Sequence, residues 1–365
     1  MNPLHELHAA GQSVWLDALR RGMLVDGTFE RMIRDWSITG VTSNPTIFAA
    51  ALRSGDYDGE IAAAAGRTQP LELFYELALR DIQMAADLLR STWHASEGAD
   101  GYASFELGPD LADDAAASVR SARQLLRRID RPNVMIKVPG TDAGVDAARQ
   151  LTAEGRNVNV TLLFSVGMYE RFAEAYLDGL EARLAAGNDV AHVSSVASFF
   201  VSRVDAVVDP SLPARSALRG LAAVANARHA YHRFHRIFSG PRWNRLRAEG
   251  ARPQRPLWAS TGTKDPSYPN VKYIEELVAP GTVTTVPEAT LRAFADHGVP
   301  SPADMDTFSD PLRSLRGAGA ADLDAIGAEL LRRGIAAFQH DMAALLQRLG
   351  EVEPARRPTP ATRGR

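Results

Sequence analysis

The 365-residue chain contains no cysteine, which excludes disulfides, thiolate nucleophiles and cysteine-ligated metal sites. It is nearly without lysine as well: Lys137, Lys264 and Lys272 stand alone among 41 Lys plus Arg residues. No apolar run approaches the ~20 residues of a membrane span, so no membrane association is expected. The formal charge of -3 gives no global attraction to nucleic acid or anionic lipid, and any anion site must be built locally. Neither the G-x-G-x-x-G nor the G-x-x-x-x-G-K-[ST] nucleotide fingerprint occurs. The N-terminal stretch MNPLHELHAAGQSVW lacks the basic-then-apolar or Arg- and Ser-rich character of a targeting signal, and a cytoplasmic protein is expected.

What is present fits a globular protein, with 45% hydrophobic and 23% charged residues. Short apolar, often β-branched runs alternate with long Ala-, Leu- and Arg-rich stretches. The runs are QSVWLDAL, GVTSNP, GYASFEL, NVMIKVPG, NVNVTLLFS, HVSSVASFFVSR, RPLWASTGTK and GTVTTVPEAT. Between them, residues 71–92, 113–129 and 166–187 carry apolar residues at spacings of three and four, the mark of amphipathic helices, with Gly187 as a helix stop. Strands alternating with helices argue for parallel βαβ units, and eight of them predict an α/β fold, a (β/α)8 TIM barrel with additional helices. The spacing predicts one domain over 1–349. Its additions are a helical elaboration at about 205–255 and a helical cover over 301–349, and residues 350–365, Pro- and Arg-rich without periodicity, read as a disordered tail.

In such a barrel, polar residues near the C-terminal strand ends face the active-site mouth, while the interior is normally branched and apolar. Asp17, Asn44, Glu106, Lys137, Asn159, Thr161 and Ser198 break that apolar rule. A lone polar residue on a strand reads first as a satisfied structural group, but seven across consecutive strands point to a site. Lys137, flanked by Met135, Ile136 and Val138, is expected to hold its amine in an apolar wall, where desolvation favours the free, nucleophilic form. A buried lysine paired to Asp17 or Glu106 is the plain structural alternative, and the two are compatible. Lys272 reads as a solvated charge. His229, His232 and His235, interleaved with arginines and without a close carboxylate, read as a solvated or packed helix face, so no metal site is expected. GTDAG (140–144) reads either as a phosphate cradle or as a turn with Thr141 or Asp142 capping a helix.

The ordered series GVTSNPTIF, SFEL, NVMIKVPGT, GRNVNVTLLFS, VASFFVSRVD and LWASTGTKDP resembles transaldolase in its longer bacterial form, over about residues 12–345. The resemblance implies a Schiff-base enzyme of the non-oxidative pentose phosphate pathway, without metal or organic cofactor and with sugar phosphates as partners. It would move a dihydroxyacetone unit from sedoheptulose 7-phosphate or fructose 6-phosphate to glyceraldehyde 3-phosphate or erythrose 4-phosphate. By match to the family's motifs, Lys137 forms the Schiff base and Asp17 takes the C4 hydroxyl proton. Glu106 is the acid/base acting through a water near Thr161, and Asn44 and Asn159 meet the dihydroxyacetone hydroxyls. Ser198 and Arg203 match phosphate-binding positions. The ASTGTK run departs from the short form's ASFRN pattern, and Ser260 and Lys264 are assigned to the remaining phosphate contact. Related fructose 6-phosphate aldolases carry a tyrosine at the position matching Phe200. Two alternatives stand beside transaldolase: an aldolase of that kind, and a non-catalytic barrel that binds sugar phosphates. The expected assembly is a monomer or homodimer.

Overall fold

The computed structural model describes residues 2–319 and 322–351; the tail expected over 350–365 falls, from 352 onward, outside them. Eight short segments form strands: β1 (Gln12–Leu16), β2 (Ile38–Thr42), β3 (Tyr102–Glu106), β4 (Val134–Pro139), β5 (Val158–Leu163), β6 (Ser195–Phe200), β7 (Arg255–Ala259) and β8 (Thr282–Val286). They close in sequence order into a parallel barrel, with β8 returning to pair with β1 from Gln12↔Thr282 to Leu16↔Val286. The predicted (β/α)8 barrel is therefore observed. Its strands are buried almost throughout, because helices cover the outer face and side chains fill the inner one.

Alternation along each strand decides which residues reach the interior. On β1, Ser13 and Trp15 share a face with Asp17, which follows the strand. Trp15 lies across β2, where a Cβ at Gly40 would come within 2.5 Å of the indole, so only glycine fits there. The Trp15 indole N–H donates to Asp100 Oδ1 at 2.8 Å, and Arg255 donates to Ser13 Oγ at 2.9 Å. The N-terminal end of the barrel is thus closed by a large ring and a polar cluster.

Local chemistry starts and ends the covering helices. Asp114 caps Ala115–Ile129 by accepting from the Ala117 N–H, and Thr141, within GTDAG, caps Asp142–Ala153 by accepting from the Gly144 N–H. Val166–Ala185 starts on Ser165 and stops where Gly187 turns left-handed at φ 77°, as expected. The stretch 71–92 is broken at Leu89 into Pro70–Leu88 and Arg90–Ala95.

The elaboration after β6 comprises helices Ser202–Val208, Ala222–Ile237 and Pro241–Ala248. Trp243 and Leu246 of the last pack on Tyr176, Leu177 and Leu180, forming a second, smaller core. On Ala222–Ile237, His229 is partly buried and stacks on Phe308 at 4.9 Å, whereas His235 is exposed and meets the edge of Tyr231. Partial burial lowers His229 below the usual histidine range. After β8, helices Glu288–His297, Ser309–Gly317 and Leu323–Gly350 follow. The last runs over the barrel against Pro45–Ala51, Pro70–Leu88, β5 and Ser202–Val208.

Candidate active site

Lys137 projects from β4 beside Glu106 of β3 and Asn159 of β5, its register partners. Only 4% of it is exposed. Its Nζ donates to Glu106 Oε2 at 2.9 Å and to the Ser43 carbonyl at 3.0 Å. The apolar wall expected around the amine is not there: Ile136 and Val138, one residue away on a strand, point to the opposite face, and Met135 lines a separate hollow with Ser194 and Arg255. Burial comes from the barrel interior, and the groups touching the amine are acceptors. Desolvation raises the Glu106 carboxyl above its usual range and the charge of Asp17 adds to this, while Lys137 opposes both.

Asp17 is anchored at the end of β1 by its N–H, which donates to the Val286 carbonyl at 2.9 Å. Its Oδ1 accepts from Thr42 at 2.7 Å, and Thr42 meets Thr285 at 2.9 Å. Asn44 caps helix Pro45–Ala51 with its Oδ1, so the amide nitrogen is the group a ligand can meet. Asn159 is held at both ends: its Nδ2 donates to Ser104 at 3.1 Å and its Oδ1 accepts from Ser198 at 2.7 Å. Thr161 Oγ1 is buried and makes no hydrogen bond among the described residues. Next to it Leu162 has φ 59°, and the β5–β6 register shifts between Val160 and Leu163. Such bulges re-aim side chains beside active sites.

Two cations face these acids. Arg203 lies over the Phe200 ring at 5.3 Å, and burial lowers its proton affinity while Asp17 and Glu106 raise it. Lys264, lowered by burial and then by Arg203, lines the same cavity as Arg203. Neither forms a salt bridge among the described residues. Ser260, in a left-handed conformation at φ 56°, meets Ser202 at 3.0 Å. Lys272 is not the solvated charge expected: its side chain is 10% exposed, pairs with Glu276 and lies over the rings of Tyr268 and Tyr273.

One cavity of about 200 Å³ gathers Asp17, Asn44, Lys137, Thr161, Ser198, Arg203, Ser260 and Lys264. Glu106 stands behind Lys137, and Asn159 behind Ser198. Ten residues singled out in the sequence therefore form one connected group. The sequence reading missed Thr42, Thr285 and Phe338, which also line the cavity. Phe338 comes from the C-terminal helix. Roomier hollows lie elsewhere, about 350 Å³ on the far side of Lys264 and about 680 Å³ beside the C-terminal helix, but neither is lined by Lys137 or Asp17.

Residues 14–349 match the family described as Transaldolase/Fructose-6-phosphate aldolase. The chain is 46% identical over 362 residues to a transaldolase of Parafrankia sp. (strain EAN1pec), covering 97% of this chain and 94% of that protein. It is 48% identical over 332 residues to a transaldolase of Thermobifida fusca (strain YX), covering 89% and 88%.

Proposed function

The chain belongs to the transaldolase/fructose-6-phosphate aldolase family, and from that premise we propose that it is a transaldolase working through a Schiff base on Lys137. It moves a dihydroxyacetone unit from sedoheptulose 7-phosphate or fructose 6-phosphate to glyceraldehyde 3-phosphate or erythrose 4-phosphate, in the non-oxidative pentose phosphate pathway. The observation that carries the reading is the Lys137 amine, buried 2.9 Å from Glu106 in a cavity that also holds Asp17 and two cations.

The donor's phosphate lies against Arg203 and Lys264, with Ser260 beside them, where charge-assisted contacts are strong. Its C2 carbonyl then meets Lys137. Burial raises the proton affinity of Glu106, which eases proton transfer from the lysine ammonium and frees the nitrogen lone pair. Attack on C2 gives a carbinolamine; Glu106, now protonated, returns its proton through a water at Thr161 to the leaving hydroxyl, and the iminium forms. Asp17 takes the C4 hydroxyl proton, the C3–C4 bond breaks, its electron pair moves into the iminium, and an aldose phosphate departs. The acceptor aldehyde reverses these steps, and water releases the new ketose from Lys137. Asn44 and the remaining Asn159 amide hydrogen orient the three-carbon unit. Ser198, whose hydroxyl hydrogen goes to Asn159, supports that amide rather than the phosphate. Under this reading the chain works in the cytoplasm on sugar phosphates, as a monomer or homodimer. Phe200 lines the cavity without a transferable proton, which favours transfer over aldolase-type release.

Borohydride reduction in the presence of fructose 6-phosphate, followed by peptide mass spectrometry, tests the proposal. A reduced three-carbon adduct on Lys137, depleted by erythrose 4-phosphate and lost in a folded Lys137→Arg variant, is expected. An adduct on another lysine, or none, overturns it.

A further inference from the structure

We propose that Thr42 and Thr285 are positioning residues for carbon–carbon cleavage: a pair of hydroxyls in series that fixes Asp17 Oδ1 and leaves Oδ2 to the substrate. The inference rests on the transaldolase reading above. Both threonines are about 3% exposed and sit on strands flanking Asp17, Thr42 at the end of β2 and Thr285 on β8. Thr285 is opposite Trp15 in the β1–β8 register, and its backbone carbonyl accepts from Thr261 at 2.9 Å, which pins it.

The distances fix the direction of the series. A hydroxyl has one hydrogen, and an ionised carboxylate only accepts. At 2.7 Å from Asp17 Oδ1, Thr42 gives its hydrogen to the carboxylate, so the 2.9 Å contact with Thr285 runs from Thr285 to Thr42. Two aligned O–H dipoles then point at Asp17. When Asp17 takes the C4 hydroxyl proton on Oδ2, Oδ1 becomes the carbonyl oxygen of the acid and goes on accepting from Thr42, which goes on accepting from Thr285. The series therefore serves Asp17 in both states and consumes nothing.

A neutral pair of donors has a use here that the cations cannot fill. The charged groups that share the cavity with Asp17 are Arg203, Lys264 and Lys137, with Glu106 behind Lys137. A bound phosphate dianion offsets Arg203 and Lys264, and the iminium appears only after Lys137 has reacted. The hydroxyl pair is unaffected by either event. Barrel interiors are ordinarily filled by Val and Ile, and Thr and Val have nearly the same shape. At these two positions the hydroxyl, not the volume, is what the fold does not require.

The test compares wild type with Thr42→Val, Thr42→Ser, Thr285→Val and the double valine variant, by fructose 6-phosphate kinetics across pH and by the masses of borohydride-trapped Lys137 adducts. Loss of a hydrogen bond to a charged group predicts a kcat fall of roughly ten- to hundredfold in Thr42→Val, with KM moving less. Its acid limb should move to higher pH, and uncleaved six-carbon adduct should accumulate at the expense of the three-carbon one. Thr42→Ser should recover most of the activity. Thr285→Val should show a smaller change of the same sign, and none further in the Thr42→Val background. Unchanged adduct ratios and acid limbs, or additive effects in the double variant, overturn the inference while wild-type trapping leaves the transaldolase reading standing. No adduct on wild-type Lys137 overturns both. If Thr42→Val does not fold, Thr285→Val alone decides by the same readouts.

Discussion

In the proposed mechanism the three-carbon enamine left on Lys137 after C3–C4 cleavage is a carbon nucleophile, and an acid that reaches it ends the transfer by protonation. Phe200, in the same cavity as Lys137 and between Phe164 and Arg203, supplies a wall without a proton. Phe200→Tyr is accordingly expected to release free dihydroxyacetone from fructose 6-phosphate without an acceptor, roughly ten- to hundredfold faster than wild type. An enzymatic assay for dihydroxyacetone reads this directly; no increase means Phe200 does not face the enamine carbon. Much of this residue-level chemistry was legible in the sequence, since Lys137, Glu106 and Asp17 are charged residues on short apolar runs that a barrel would otherwise fill with branched side chains. Thr42 and Thr285 were not legible for an equally physical reason. Threonine is a good strand former, so two threonines on strands look ordinary until their hydroxyls are seen 2.9 Å apart beside a carboxylate. The polar surroundings of the Lys137 amine were hidden because sequence neighbours on a strand lie on opposite faces.

The C-terminal helix Leu323–Gly350 acts at the scale of an element. Its periodicity in the sequence announces a helical cover but not what it covers, since the surface it meets is assembled from β5 and the helices Pro45–Ala51, Pro70–Leu88 and Ser202–Val208. One face carries Gly327, Gly334, Phe338 and Asp341. Gly327 passes Ser165, where a Cβ would lie 3.0 Å from the Ser165 Cβ; at Gly334 it would lie 2.9 Å from Leu162 Cδ2 and 3.7 Å from Arg203 Nη1. Asp341 accepts from Thr46 and Phe338 reaches the cavity. Close approach at Gly334 therefore seats the helix on the bulge that aims Thr161 and beside the cation assigned to phosphate. Gly334→Ala gains about 1 kcal/mol of helix propensity against roughly 1–3 kcal/mol of overpacking. A small change in Tm is expected, with KM for fructose 6-phosphate rising severalfold, and a larger rise in Gly334→Val. Steady-state kinetics beside thermal unfolding separate the two effects; an unchanged KM in Gly334→Val means that the helix does not set the Arg203 wall.

For the whole molecule, a barrel with so polar an interior carries buried charge beyond its active site, and its stability must depend on pH. Asp205, on helix Ser202–Val208, accepts from the Ala223 N–H and from the Tyr273 hydroxyl, both at 2.8 Å, tying three segments of the post-β6 and post-β7 region together. Burial pushes its carboxyl up to about 6 from an ordinary 3.8. The folded chain thus holds a proton at this site in the window where the unfolded chain has lost it. Stabilisation from Asp205 is complete below the unfolded value and declines as pH rises towards and through about 6. Between pH 4.5 and 7.5 this withdraws roughly 2 kcal/mol from the wild type. Asp205→Asn cannot titrate. Whatever hydrogen-bonding it loses, it loses at every pH, and the other groups cancel when variant and wild type are compared at one pH. The Tm of Asp205→Asn relative to wild type should therefore be several degrees more favourable at pH 7.5 than at pH 4.5. A difference independent of pH would show that Asp205 stays ionised in the folded barrel, and that its two donors outweigh its burial.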